Sequence, residues 1–168
     1  DFYIGATGNN ANTGTAASPW ALTALASKGA QIAGKRVGLL DGVYTITSNG
    51  QVLLDISGAH GATAKAVNAR QAVITTNNNG VYPSNVPGAP IALLVNSNNF
   101  TFDGLKITDL AGHGIGIQSA TNTTILNCEI SNIRTSRNSG QADSNCGGVY
   151  FFTQSIVKNG VLIENCLF

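Results

Sequence analysis

Between Phe100 and Phe168 the apolar positions repeat one pattern three times: Phe100 and Phe102, then Leu105 and Ile107; Ile125, then Cys128 and Ile130; Val161 and Ile163, then Cys166 and Phe168. In each copy the alternation of apolar and polar residues slips by one position and resumes. Alternation puts the apolar side chains of a strand on one face, and a one-residue slip exchanges the faces, so the pattern predicts two short strands joined by a tight bend. The residue before the resumed pattern is Gly104, Asn127 or Asn165. Gly and Asn are the residues that accept a left-handed backbone at least cost, so the bend is expected to be built the same way each time.

A further strand precedes each of these pairs. Ala92–Asn96, Ile115–Ser119 and Val149–Thr153 make a second strand set, and aligning Ala92 with Ile115 gives an offset of 23 residues, the same as between Phe100 and Thr123. Three short strands in about 23 residues predict an all-β chain folded as a single-stranded parallel β-helix, a solenoid whose coils stack at about 4.8 Å and bury ladders of like residues. Cys128 and Cys166 take equivalent inward positions and read as rungs of such a ladder rather than as a disulfide. Cys146 falls in a polar loop with no stacked partner.

Toward the N-terminus the pattern changes. Ser18-Pro19-Trp20 followed by Ala and Leu, with Gly29 at the end, predicts a capping helix with Ser18 as its N-cap and Pro19 in its first turn. Trp20 and Leu22 would then cover the open end of the apolar column. Lys35 to Ile46 alternates around Asp41-Gly42, and Gln51–Ile56 and Ala72–Thr75 predict further strands. A single domain of residues 1–168 follows, with an N-terminal strand and cap helix over 1–34 and coils over 35–168. The chain stops inside a repeat without a polar terminal cap, so the expectation is that further coils of a longer chain, or another copy, cover that end.

Composition narrows the function classes. Nine Lys and Arg against eight Asp and Glu leave a net charge of +1 with no basic cluster, so no field exists to hold a nucleic acid. No apolar run approaches the roughly 20 residues that cross a bilayer as a helix, so no membrane partner is expected. Gly5-Ala-Thr-Gly8 and Gly112-His-Gly-Ile-Gly116 match no phosphate-binding pattern and read as turns. The triplets Asn99-Phe-Thr and Asn122-Thr-Thr satisfy the glycosylation pattern in the same turn of neighbouring coils.

The opening Phe2-Tyr-Ile-Gly-Ala-Thr-Gly, the short helix after Pro19, Gly34-Lys-Arg-Val-Gly-Leu-Leu-Asp-Gly-Val-Tyr and the repeated Asn-Cys at the bend together resemble the right-handed parallel β-helix proteins of the pectate lyase-like superfamily. The resemblance implies an asparagine ladder between the second and third strands of each coil. It also implies a secreted, periplasmic or cell-surface location and a polysaccharide or glycan partner lying across the first sheet, which here carries Ile115–Ser119 and Val149–Thr153. A lyase of this kind removes the proton next to a uronate carboxylate, which needs a base, usually Lys or Arg, and a cation, typically Ca²⁺, to hold the charge that builds on the carboxylate.

The insertion Arg134–Gly147 lies where a solenoid places its binding loops. Arg134 and Arg137 are the candidate groups for gripping and activating a sugar carboxylate, against a reading as a solvated polar loop. His113, just before the first-sheet strand, is the third catalytic candidate, against a turn histidine with local hydrogen bonds. Tyr150, predicted to point outward, Gln118 and Asp143 are candidate substrate contacts, and Tyr150 has packing under the loop as its alternative. Lys106 and Glu129 fall at equivalent outward positions and predict a surface ion pair rather than a base. No carboxylate cluster stands at repeat spacing, so the residues themselves point to no calcium site. An acidic-polysaccharide lyase is the first functional expectation; a non-catalytic glycan-binding, adhesin-like or structural solenoid is the alternative.

Overall fold

The computed structural model describes residues 1–46, 52–76, 91–134, 147–152 and 160–168. The protein is a right-handed parallel β-helix, and among the described residues its strands form three sheets in which every strand pair is parallel. The first sheet contains β4 (Val52–Ser57), β7 (Ile91–Asn96), β10 (His113–Ile117) and β13 (Gly147–Phe151). The second contains β1 (Phe2–Ile4), β2 (Arg36–Leu39), β5 (Thr63–Ala66), β8 (Thr101–Asp103), β11 (Thr124–Leu126) and β14 (Leu162–Glu164). The third contains β3 (Gly42–Ile46), β6 (Ala72–Thr76), β9 (Lys106–Ala111) and β12 (Glu129–Arg134).

Inward side chains stack in columns. Val37, Ala64, Phe102, Ile125 and Ile163 stand in register on the second sheet, Tyr44, Ile74, Ile107 and Ile130 on the third, and Leu54, Leu93, Ile115 and Val149 on the first. Most of these residues are fully buried, and Ala64 beside Phe102 shows small and large residues sharing the space. Strand β5, Thr-Ala-Lys-Ala, has little strand propensity of its own. It is a strand because β2 and β8 on either side of it satisfy its backbone groups.

The bend is built as the repeat predicts. Gly104, Asn127 and Asn165 have φ of 72°, 55° and 53°. The Asn127 side-chain amide donates to Asp103 at 2.8 Å, the Asn165 amide donates to Asn127 at 2.7 Å, and Lys65 donates to the other Asp103 oxygen at 2.6 Å. Burial pushes the Asp103 carboxyl up, but these donors outweigh it and hold it below the ordinary range. In a second left-handed pair the Asn122 side-chain amide donates to the Asn99 side-chain oxygen at 2.9 Å, which ties both glycosylation-triplet asparagines into a ladder. Cys128 is buried and free, with Cys166 free and half-buried on the next coil.

Three expectations need correction. The cap is not one helix from Ser18: α1 spans Ala24–Ser27 with Thr23 at its N-cap position, and α2 spans Gly29–Ile32. Trp20 cannot be helical because its N–H donates to Tyr3 and its carbonyl accepts from Gly5, making a bridge to β1. Its ring is nonetheless buried, stacked on Phe2 at 4.5 Å, with the indole N–H donating to Asn12. In the first sheet Ile115 pairs with Leu93, not Ala92. Coils β7 and β10 therefore differ from the second- and third-sheet spacing by one residue, taken up between the sheets. Gly114 and Gly116 lie inside β10 rather than in a turn.

Candidate functional site on the first sheet

Asp55, Leu94, Gly116 and Tyr150 stand in register along the outer face of the first sheet. Gly116 leaves a gap in this row, and its neighbours lean into it. A Cβ there would lie 2.8 Å from Ile91, 3.2 Å from Phe152 and 3.3 Å from Leu94. Ile91 and Leu94 are almost wholly buried although they lie outside the inner columns. The glycine thus lets a small apolar layer form on the outside of the sheet.

His113 and Tyr150 complete that layer. His113 begins β10, its ring stacks on Tyr150 with centroids 4.2 Å apart, and the Gly147 N–H donates to its Nδ1 at 3.2 Å. Phe152 meets Tyr150 edge-on at 5.0 Å. Only 5% of His113 is exposed, and burial pulls its pKa below the ordinary value. A donor aimed at Nδ1 also requires that nitrogen to be unprotonated, so the imidazole is neutral at pH 7. Tyr150 points outward, as the alternation predicts, and is half-buried against His113 rather than standing free.

Next to this aromatic end lies a polar one, of which sequence reading singled out Gln118 but not Asp55 or Asn96. Asp55 accepts from the Asn96 side-chain amide at 2.8 Å and from Ser57 at 3.2 Å, and the Asn96 side-chain oxygen accepts from the Ser119 N–H at 3.1 Å. Gln118 is half-exposed beside them, its N–H donating to Val95. The alternation in Val52–Ser57 already marks Asp55 as outward; its proximity to Asn96 appears only when the coils stack. Arg134 ends β12 opposite Ala111. Arg137, Asp143 and Cys146 lie outside the described residues.

Elsewhere, Lys106 and Glu129 form the expected ion pair at 2.8 Å, which holds the Glu129 carboxyl below its ordinary pKa. His60 accepts from the Asn98 N–H at 3.0 Å, a local contact. Among the described residues no three His, Cys, Asp or Glu side chains come together. Asp103 is engaged by Lys65 and Asn127, and Asp55 by Asn96 and Ser57. The described residues thus bring together no set of carboxylates to hold calcium. No helix among them is long and apolar enough to cross a membrane.

No protein-family model and no curated protein matches the sequence. Two solved structures share the fold. A rhamnogalacturonan lyase superposes with a TM-score of 0.55 at 17% identity, over 98% of this chain and 50% of that one. Pectate lyase Pel9A superposes with a TM-score of 0.59 at 18% identity, over 98% of this chain and 46% of that one. The chain therefore has the parallel β-helix fold of these polysaccharide lyases and spans about half their length.

Proposed function

We propose that this chain is the β-helix of an extracellular carbohydrate-active protein that binds an acidic polysaccharide across its first sheet and cleaves it by β-elimination. The observation that carries the reading is the juxtaposition, on the outer face of one sheet, of an aromatic end at Tyr150 and Phe152 with a hydrogen-bonding end at Asp55, Asn96 and Gln118. A sugar offers the same two surfaces: an apolar ring face that packs on an aromatic, and hydroxyls that need donors and acceptors.

In this reading Tyr150 supports the ring, with His113 as its backing. Asp55, Asn96 and Gln118 bind hydroxyls. Arg134 and Arg137, at the end of β12 and in the insertion, lie at the uronate carboxylate, and Asp143 in the same insertion makes a further substrate contact. β-Elimination transfers the proton from the carbon beside the carboxylate to a base, in this reading one of Arg134 and Arg137 while the other holds the carboxylate; a ring double bond forms and the glycosidic oxygen of the next sugar leaves, taking up a proton from water. The guanidinium at the carboxylate would lower the barrier by stabilising the negative charge that develops there.

A second reading, glycan binding without cleavage, is favoured by one feature: His113 is packed beneath Tyr150 with Nδ1 occupied, a supporting position rather than that of a base. One experiment separates the two. The protein is incubated with pectate, rhamnogalacturonan, alginate and glycosaminoglycans while the absorbance of unsaturated uronates is followed, and binding to each glycan is measured in parallel. Rising absorbance supports the lyase. Saturable binding with flat absorbance supports the binding module, and neither signal with any glycan overturns both.

A further inference from the structure

A separate feature lies on the outer face of the second sheet, near the N-terminal cap. Tyr3, Gly38, Lys65 and Asp103 stand in register on β1, β2, β5 and β8. Gly38 interrupts the outward row, leaving a gap about two strand spacings, or roughly 10 Å, across. The Tyr3 ring is laid over the glycine, so that an added Cβ would sit 3.0 Å from both Cδ1 and Cε1, and Val67 approaches to 3.5 Å from the other side. The result is an open cavity of about 190 Å³ lined by Tyr3, Val67, Arg36, Lys65, Ala66 and Asp1.

We propose that this notch is a second carbohydrate site that takes one uronate ring, with the apolar face of the sugar on Tyr3 and Val67 and its carboxylate on Lys65 and Arg36. The volume lies below the roughly 300 Å³ of a drug-sized pocket, so the notch itself holds one ring. Arg36 pairs with Asp1 and Lys65 with Asp103, but both cations stay about half exposed, at 58% and 48%. Each uses one contact of the several its head group offers, so a carboxylate can be added without breaking either pair. Thr63, Thr101 and Thr124 continue in register from Arg36, a row of half-exposed hydroxyls along which a hydroxyl-rich chain can extend. The site does not rest on the first-sheet reading, because it needs no cleavage and shares no residue with that face.

The test titrates the full chain with D-galacturonate while backbone amide resonances are followed. Saturable shifts at Tyr3, Gly38, Lys65 and Val67, with half-saturation on the order of 1 mM as befits a small exposed ligand, support the site. Galactose, which lacks the carboxylate, should bind at least about 5-fold more weakly. Arg36→Gln and Lys65→Gln should each weaken binding by a similar factor, whereas Asp1→Asn, which removes the competing anion, should tighten it. Gly38→Ala should close the notch and abolish the shifts.

Shifts confined to the first sheet would overturn this site while leaving the first-sheet reading standing. Shifts at Tyr3 without any at Tyr150 would support this site alone. Equal binding of galactose, unaltered binding in the Arg36→Gln and Lys65→Gln double variant, or the same shifts produced by sulfate alone would each overturn the assignment to a uronate.

Discussion

The imidazole of His113 lies nearly flat on the phenol of Tyr150, with 4.2 Å between centroids and 22° between planes. The stack couples a titratable group to the outward aromatic of the first sheet. Burial holds the folded-state pKa of His113 below 6.5, whereas the unfolded chain titrates at about the ordinary value. Below that value the unfolded state binds the proton more readily, so stability falls as pH drops through about 6.5 and levels off below the folded pKa. Thermal melts between pH 8 and pH 5 should show this loss, and His113→Asn, which keeps an acceptor for Gly147, should flatten it. A variant with the same pH slope as the parent would show that His113 is not the group responsible.

Tyr150→Ala removes the aromatic surface and Asp55→Asn removes the acceptor charge at the opposite end of the same outer row. Glycan affinity on the first sheet should fall about 5- to 10-fold for Tyr150→Ala, corresponding to about 1 kcal/mol of ring stacking. Asp55→Asn should change affinity for neutral and acidic glycans differently, because it removes a repulsion for the acidic one. Isothermal titration with paired neutral and acidic oligosaccharides measures both.

Asn127 serves the bend twice, by its left-handed backbone and by the amide that links Asp103 to Asn165. Asn127→Ala loses both contributions and should cost about 2–3 kcal/mol. Asn127→Gly keeps the backbone conformation and should cost about 1 kcal/mol less. Urea unfolding of the two variants separates the terms, and equal losses would show that the amide ladder alone matters.

Cys128 is buried beneath the bend, and burial pushes its thiol pKa up to about 11. In a Cys146→Ser background, a thiol reagent at pH 8 should label the half-buried Cys166 first, and Cys128 only at the rate of unfolding. Labelling of Cys128 as fast as Cys166 would show that the last coils open locally.

The Lys106–Glu129 pair lies on the outer face of the third sheet. Glu129→Gln should change stability by no more than about 1 kcal/mol at low salt, with less effect at high salt. The hydrogen bond from Lys106 depresses the folded pKa of Glu129, so whatever the pair contributes is present above the unfolded pKa and is lost as pH falls through the folded one. Melts of the two proteins at pH 7 and pH 3 should differ most at pH 7.

The coil repeat was legible because inward residues must be apolar in every coil and the bend must tolerate a left-handed residue in every coil. Phe102 and Ile125, Ile107 and Ile130, and Gly104 and Asn127 therefore carry the fold in their order alone. The same logic placed Lys106 beside Glu129. It failed at Trp20, where a proline-led, alanine-rich segment has the local features of a helix and tertiary pairing with Tyr3 takes the backbone instead. It also missed β5, whose alanines and lysine become a strand only between two neighbours.

The surfaces that could bind a ligand were decided by stacking. Asp55 lies 41 residues before Asn96, and Tyr3 lies 35 before Gly38, and nothing in either local sequence marks the pairing. Alternation tells which side chains face outward, since it follows from the geometry of a single strand. Which outward side chains become neighbours depends on how many residues each turn between strands absorbs. The shift that pairs Ile115 with Leu93 rather than Ala92 is one such residue, and only the packed coils reveal it.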